Sequence, residues 1–480
     1  MRSFGIASLI LLNGISGPAQ AQGSRGALTQ GSFVITNVHV IPMSSDTVIP
    51  NATVLVQNGR IAVVGPARSV RVPAGTRSID GSGKYLIPGL ADMHAHLYTD
   101  GEVPDSLAKY ELAVFLANGV TVARMMIGTP EHFGLRRGIE SGELLGPQLW
   151  IASPELTGRP ADHAHVVTTP EAATAAVTAV ADSGYDFIKI TNFVTPPVYD
   201  AILSQARKRG VRVDGHVDPQ VGLAHAFQSG QAGIHHLDSY FEAVMADSAP
   251  LRESVTQVGH FRLRNWVSMD YMDEKKIAAI GGATARAGIW STPTLTLFDY
   301  AFAIHESDSA IRSRPDWRLM PAGMRSLYLR GRTQYWNPAN EEIRTPARRQ
   351  RYVEVRNRIV KAIVDSGGKI MAGSDAPDWF MSPGWTLHRE LNTFVEAGLT
   401  PYQALQAATV NPARFLNASA EWGTIERGKR ADLVLLSANP LENISNTTRI
   451  EGVSVGGKWI PRTELDQMVE TAIQKIGGGE

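Results

Sequence analysis

The chain contains no cysteine. That absence excludes a disulfide framework, a Cys-based zinc finger, an iron–sulfur cluster and a thiol nucleophile. Any metal must therefore be held by imidazole, carboxylate or a less usual group. Net charge is missing too: 46 basic side chains balance 46 acidic ones over 480 residues, so no global field draws the chain to nucleic acid. Charged residues make up 19% and hydrophobic residues 43%, which suits a core-forming chain rather than a disordered one. Past the N-terminus, no apolar run approaches the ~18 residues that would span a bilayer. A G-x-S-x-G elbow, an H-E-x-x-H pair and a P-loop are all absent. What the chain does have is 13 His.

The N-terminus reads MRSFGIASLILLNGISGPAQAQ. Arg2 supplies a positive start, Phe4 to Ile15 a short apolar run, and Ala19-Gln20-Ala21 an A-x-A cleavage site. This predicts a signal peptide over residues 1–21, cleaved after Ala21, and a secreted or periplasmic product with no stable membrane insertion after cleavage. An uncleaved N-terminal anchor is the competing reading.

Residues 32–88 and 421–461 share a strand-like texture, with β-branched runs such as FVITNVHVIP, ATVLVQNGRIAVVG and ADLVLL broken by Asn, Gly and Pro. Between them, over 89–415, short apolar runs alternate with Ala-rich helical segments. LADMHAHL, VTVARMMI, QLWIAS, DFIKI, VRVDGHV, GIHHL, IWSTPTLTL and KIMAGSD give eight candidate strands. Repeated β–α units predict a parallel sheet, and eight of them a closed (β/α)8 TIM barrel, with a doubly wound open sheet as the competitor. The two β-rich ends would pair into one small β-domain beside it.

An insertion over about 299–360 separates the seventh and eighth strands. Residues 311–360 hold 12 Arg against four acids, with Trp317, Tyr328, Tyr335, Trp336 and Tyr352 interspersed. It reads as a helical lid attracting an anionic substrate, as a solvated face paired with acids elsewhere, or as a nucleic-acid surface. The first two are preferred.

His94 and His96 end the first strand. Residues two apart in a strand face the same side, so the two imidazoles suit one metal ion. Lys189 sits on the apolar fourth strand, His216 closes the fifth, His236 the sixth and Asp375 the eighth. In such a barrel the carboxyl ends of the strands open onto one face. Four His, one Lys and one Asp from five strands would meet there. Any one of these residues alone would more readily be a satisfied core residue; the ordered set is the signal.

IPGLADMHAHL, GVTVARMM, the buried Lys, the two single His on successive strands, and LHRELNTFVEAGLTPYQALQAATVNPARFL with GTIERGKRADLVLLSANP resemble the amidohydrolase superfamily, in its imidazolonepropionase-like and prolidase-like branch. The resemblance covers essentially the whole chain after residue 21. It implies a barrel with a small β-sandwich domain formed by both termini. It implies two divalent ions, zinc the first expectation. His94, His96 and Asp375 would hold one, and His216 and His236 the other. Lys189 would be an N6-carboxylysine bridging them, since burial favours the neutral amine from which a carbamate forms. Asp375 would act as catalytic base and then acid on an attacking water.

Two departures accompany the resemblance. Asp214 stands where relatives often carry a second His, and His235 where they usually carry Glu. Alternation predicts that His235 points away from the site as a structural residue. His163, His165 and Tyr240 are candidates for substrate contact. The implied reaction is hydrolysis of an amide C–N bond, in a dipeptide or N-acyl amino acid with a free carboxylate. A cyclic amide, lactone or ester hydrolase and a non-catalytic exported binding protein are the alternatives. The expected partner is a small anionic molecule, not nucleic acid, and a homo-oligomer is compatible with the sequence.

Overall fold

The computed structural model describes residues 31–100, 103–161, 164–249, 269–299, 307–335 and 345–478. Residues 1–21, the expected signal peptide, and part of the Arg-rich insertion lie outside them.

Eight short parallel strands build the barrel: Leu90–Ala95, Val120–Met125, Gln148–Ile151, Phe187–Ile190, Arg212–Gly215, Gly233–His235, Trp290–Thr292 and Lys369–Ile370. The first two are buried along their whole length, as a parallel strand covered on both faces should be. The first three pair in order, and so do the last five. Backbone bonds join the two groups. Ser153 N–H donates to Phe187 O at 2.8 Å, and Met93 N–H to Ala372 O at 2.9 Å. The ring is therefore closed, and the open-sheet alternative falls.

Five helices open on the dipeptide Thr-Pro: Pro130–Ser141, Pro170–Asp182, Pro196–Arg209, Pro346–Asp365 and Pro401–Ala407. Proline has the φ of a first helical turn and no N–H to leave unpaired there, and the preceding Thr is a good N-cap. At Thr169 the side chain accepts from Ala172 N at 3.2 Å.

The strand IWSTPTLTL ends early. Only Trp290–Thr292 is extended, and Leu295–Phe298 is a helical turn. Thr294 is left-handed (φ 45°), and the buried Glu390 carboxylate accepts the N–H groups of Leu295 and Thr296 at 2.9 and 2.8 Å. Tertiary capping overrides the β propensity of the run.

The two chain ends share one eight-stranded sheet. Its order runs Lys458–Pro461, Ile450–Val455, Leu433–Leu436, Tyr85–Pro88, Phe33–Val40, Ile49–Gln57 and Arg60–Pro66, with Arg77–Asp80 alongside Phe33–Val40. Leu433–Leu436 pairs antiparallel with Tyr85–Pro88, tying the two ends together. Phe33 touches Trp459 from the edge strand at 5.7 Å between centroids, so the sheet folds over its own core. After Pro461 the chain adds a helix, Arg462–Ile476, whose Leu465, Ala472, Ile473 and Ile476 are buried. No helix among the described residues is long and apolar enough to cross a membrane.

Candidate metal centre

His94 and His96 leave the first strand on one side, as the period-two argument requires. Their Nε2 atoms both lie 3.1 Å from Asp375 Oδ1. Asp375 reaches them from the end of the eighth strand because its backbone is left-handed, φ 58°. Its N–H donates to His94 O at 2.7 Å. Gly373 makes this approach feasible: a Cβ there would sit 2.8 Å from His94 N and 2.6 Å from Thr292 Cγ2.

His236 joins from the sixth strand, Nδ1 2.8 Å from Thr294 Oγ1 and 3.5 Å from Asp375 Oδ2. His216 lies beside it, ring centroids 4.6 Å apart and the planes tilted by 34°. Asp238 Oδ2 lies 2.8 Å from His216 Nδ1 and so orients that ring. Lys189 is 1% exposed on the fourth strand, and its backbone N–H is held by Ser153 Oγ at 3.0 Å.

Electrostatics follow burial. Desolvation, helped by Lys189, holds His94 well below the usual imidazole range. Burial likewise lowers the Lys189 amine. For His96 burial works in the same direction, but the hydrogen bond to Asp375 and the negative charges of Asp375 and Asp100 together outweigh it, and the pKa rises. Burial pushes Asp92, which accepts Ser374 N–H and Oγ–H across the first and eighth strands, up to about 6.

The donor set fits a cation. His94, His96 and Asp375 place ligand atoms within 4.8 Å of one another, and so do His94, His235 and His236. His96 Nδ1 is buried with no hydrogen-bond partner. Imidazole lone pairs converging on a carboxylate are the chemistry of a divalent-metal site.

His235 does not point away. Its ring lies 4.6 Å from that of His94, with the two Nδ1 atoms 2.6 Å apart. The next residue, His236, is left-handed at φ 59°. Strand alternation ends there, so both neighbours face inward. Tyr240 does not reach the cluster: its hydroxyl is buried and bonded to Thr284 Oγ1 at 2.9 Å, on a helix outside the barrel. His165 stands exposed on the short strand Ala164–Val166, beside Glu155–Thr157; His163 lies outside the described residues.

Among the described residues, several Arg of the insertion have defined partners. Arg348 pairs with Asp270, Arg351 and Arg358 with Glu274, and Arg318 with Glu470. Arg356 is buried in the barrel wall, donating to His236 O at 2.9 Å and Pro293 O at 2.7 Å. These contacts match the reading of a helical face paired with acids elsewhere. Nothing in the sequence singles out Arg356, Asp238 or Arg124 for these roles. The His-His dipeptide at 235–236 was the available signal for the extra inward imidazole.

The imidazole and carboxylate cluster at the end of the barrel strands could hold a metal ion, and comparison with known proteins places the chain. The profile of the Amidohydrolase family matches residues 85–460, and the chain belongs to that family. It is 23% identical to adenine deaminase 3 of Rhizobium meliloti over 85% of its own length, though it spans only 56% of that protein. It is 26% identical to the imidazolonepropionase of Symbiobacterium thermophilum, covering 82% of this chain and 86% of that one. Among solved structures it resembles a bottromycin amidohydrolase with a TM-score of 0.72 at 22% identity, over 94% and 91% of the two chains. It also resembles a Xaa-Pro dipeptidase with methionine bound in the active site, with a TM-score of 0.62 at 21% identity, over 90% and 100%. Both likenesses establish the shared fold.

Proposed function

We propose that the protein is an exported, metal-dependent amidohydrolase that cleaves the amide C–N bond of a dipeptide or N-acyl amino acid. The observation that carries this reading is the convergence of His94, His96 and Asp375 within 4.8 Å beside His216, His236 and a buried Lys189. His94, His96 and Asp375 would hold one divalent ion, zinc by its donor preference, and His216 and His236 a second. A bound pair would supply Lewis acidity and lower the pKa of a water towards neutrality.

The chain's own residues do the rest. Lys189, its amine kept towards neutral by burial, is set to add CO2 with loss of one proton, giving an anionic carbamate between the two sites. Asp375 faces both His rings through Oδ1 and His236 through Oδ2. That carboxylate takes the proton from the attacking water and returns it to the leaving nitrogen. Asp238 fixes the His216 ring, and Thr294 the His236 ring.

A second reading on the same site is a cyclic amide, lactone or ester, and the likeness to an imidazolonepropionase supports its amide part. A library of dipeptides, N-acyl amino acids, lactams and lactones offered to zinc-loaded protein separates the two. Turnover confined to lactams or lactones overturns the first reading. No turnover of any member, by protein carrying its ions, overturns both.

A further inference from the structure

A buried polar chain runs beneath the site and uses residues the reaction does not. Arg124 on the second barrel strand is fully buried. Its Nε donates to Met93 O at 2.7 Å, beside His94. One terminal nitrogen pairs with Asp214 on the fifth strand, and the other lies 3.0 Å from His235 Nε2 on the sixth. Asp214 Oδ1 also lies 3.0 Å from His235 Nε2. The far side of the His235 ring meets His94 Nδ1 at 2.6 Å. Gly233 leaves the room for this: a Cβ there would fall 2.4 Å from Asp214 Oδ1.

The 2.6 Å separation rules out His235 as a further ligand on the same ion as His94 Nδ1. Two nitrogens bound at ~2.0 Å in tetrahedral geometry stand about 3.3 Å apart. It is a hydrogen-bond distance, so one Nδ1 carries the proton and the other accepts it. A neutral imidazole has one N–H and one lone pair. For His94 Nε2, which faces Asp375, to offer its lone pair to a cation, His94 Nδ1 must carry the proton and donate it. His235 Nδ1 must then accept, and His235 Nε2 must be the N–H.

That N–H has a defined partner in Asp214 Oδ1. The opposite tautomer would have His235 Nε2 accept from Arg124, which only donates. It would then give the His235 Nδ1 proton to His94 and leave His94 Nε2 protonated against Asp375. Both arrangements hold the same number of protons, and the two contacts at His235 Nε2 exclude each other. A cation at His94 Nε2 selects the one in which Asp214 accepts.

We propose that His235 is a positioning residue of the metal centre: through the relay Asp214–His235–His94 it sets which nitrogen of His94 is presented to the metal. Arg124 anchors the far end of that relay. The inference rests on the reading of His94 as a ligand. It goes beyond that reading because the contact usually made by a carboxylate or carbonyl behind a ligating imidazole is here made by a second imidazole.

The test is zinc affinity by competition with a chromophoric chelator, and the visible spectrum of the cobalt-substituted protein. It compares the wild type with His235→Phe, His235→Asn and Asp214→Asn. Phe keeps the ring and removes both nitrogens, whereas the Asn amide oxygen can stand in for Nδ1 and accept from His94. Phe should weaken one zinc site by ~10–100-fold and alter the cobalt spectrum, and Asn should recover most of the affinity. Equal affinity and an unchanged spectrum for Phe would overturn the inference, as would Asn and Phe being equally impaired. If Phe does not fold by circular dichroism, Asp214→Asn decides: weaker zinc binding supports the relay and wild-type binding sinks it. Wild-type protein that binds no zinc would fail at the prior step and overturn the metal-centre reading itself.

Discussion

Arg356 offers the sharpest mutational test of how the site is held. Its guanidinium donates to the carbonyls of His236 at 2.9 Å and Pro293 at 2.7 Å and lies 3.6 Å from the Phe298 ring centroid. It therefore clamps the ends of the sixth and seventh strands, where His236 and Thr294 both adopt left-handed backbone. Such conformations cost ~1–3 kcal/mol each and persist only when their surroundings enforce them. Arg356→Met keeps the apolar stem and removes both bonds. At ~1.5–3 kcal/mol for each bond involving a charged group, the gross loss is ~3–6 kcal/mol. Relief from burying the charge subtracts from this, leaving a net ~2–4 kcal/mol. Chemical denaturation of the apo-protein measures it. Metal analysis should show the ion expected at His216 and His236 lost first. Arg356→Lys, which can reach one carbonyl, should fall between. Arg356→Met with wild-type stability and full metal content would refute the clamp. A raised KM for carboxylate-bearing substrates at unchanged stability would make Arg356 a substrate contact instead.

Other outcomes follow from the same geometry. Lys189→Ala should lose one metal ion and most turnover, with partial rescue by short carboxylates; unchanged metal content would leave Lys189 a core residue. Gly373→Ala forces a methyl within 2.8 Å of His94 and should cost ~1–3 kcal/mol by overpacking, with reduced metal affinity, both read from one zinc-linked denaturation series. Glu111 is buried, accepts the N–H of Thr99 at 3.1 Å, and is pushed by burial up to about 8. Its folded pKa lies above its unfolded value, so its contribution to stability is complete below the unfolded pKa of ~4.3 and is lost as pH rises through about 8. The denaturation midpoint should fall over that window, and Glu111→Gln should flatten the fall; an equal slope in the variant would contradict the assignment.

Much of the site was legible because strand periodicity is rigid. His94 and His96, two apart on one strand, had to share a side, and the carboxyl ends of parallel strands had to share a face. Alternation failed where the backbone turned left-handed. His236 at φ 59° turns inward beside His235, and strand alternation through GIHHL does not announce that turn. The run TLTLF looks like strand, yet it coils because Glu390, 95 residues from Leu295, caps it. Tyr240 follows the sixth strand closely in sequence, but its short helix carries the hydroxyl outward to Thr284. The Arg-rich insertion suggests a lid attracting an anionic substrate from composition alone; the acids that pair with Arg348, Arg351 and Arg358 come from residues 270 and 274, a pairing that spacing cannot reveal. The helix Arg462–Ile476 had a readable signal in the three-and-four spacing of Leu465, Val469, Ala472, Ile473 and Ile476, and it lies beyond the strand-like texture that ended at 461.

The central claim is that His94, His96, Lys189, His216, His236 and Asp375 form one metal-dependent hydrolytic centre. Its most direct test follows bound metal and amide hydrolysis together while the purified protein is stripped by chelation and reloaded with zinc. The account predicts two ions per chain, activity lost as they leave and restored as they return. Hydrolysis that continues undiminished in protein stripped of metal would contradict it.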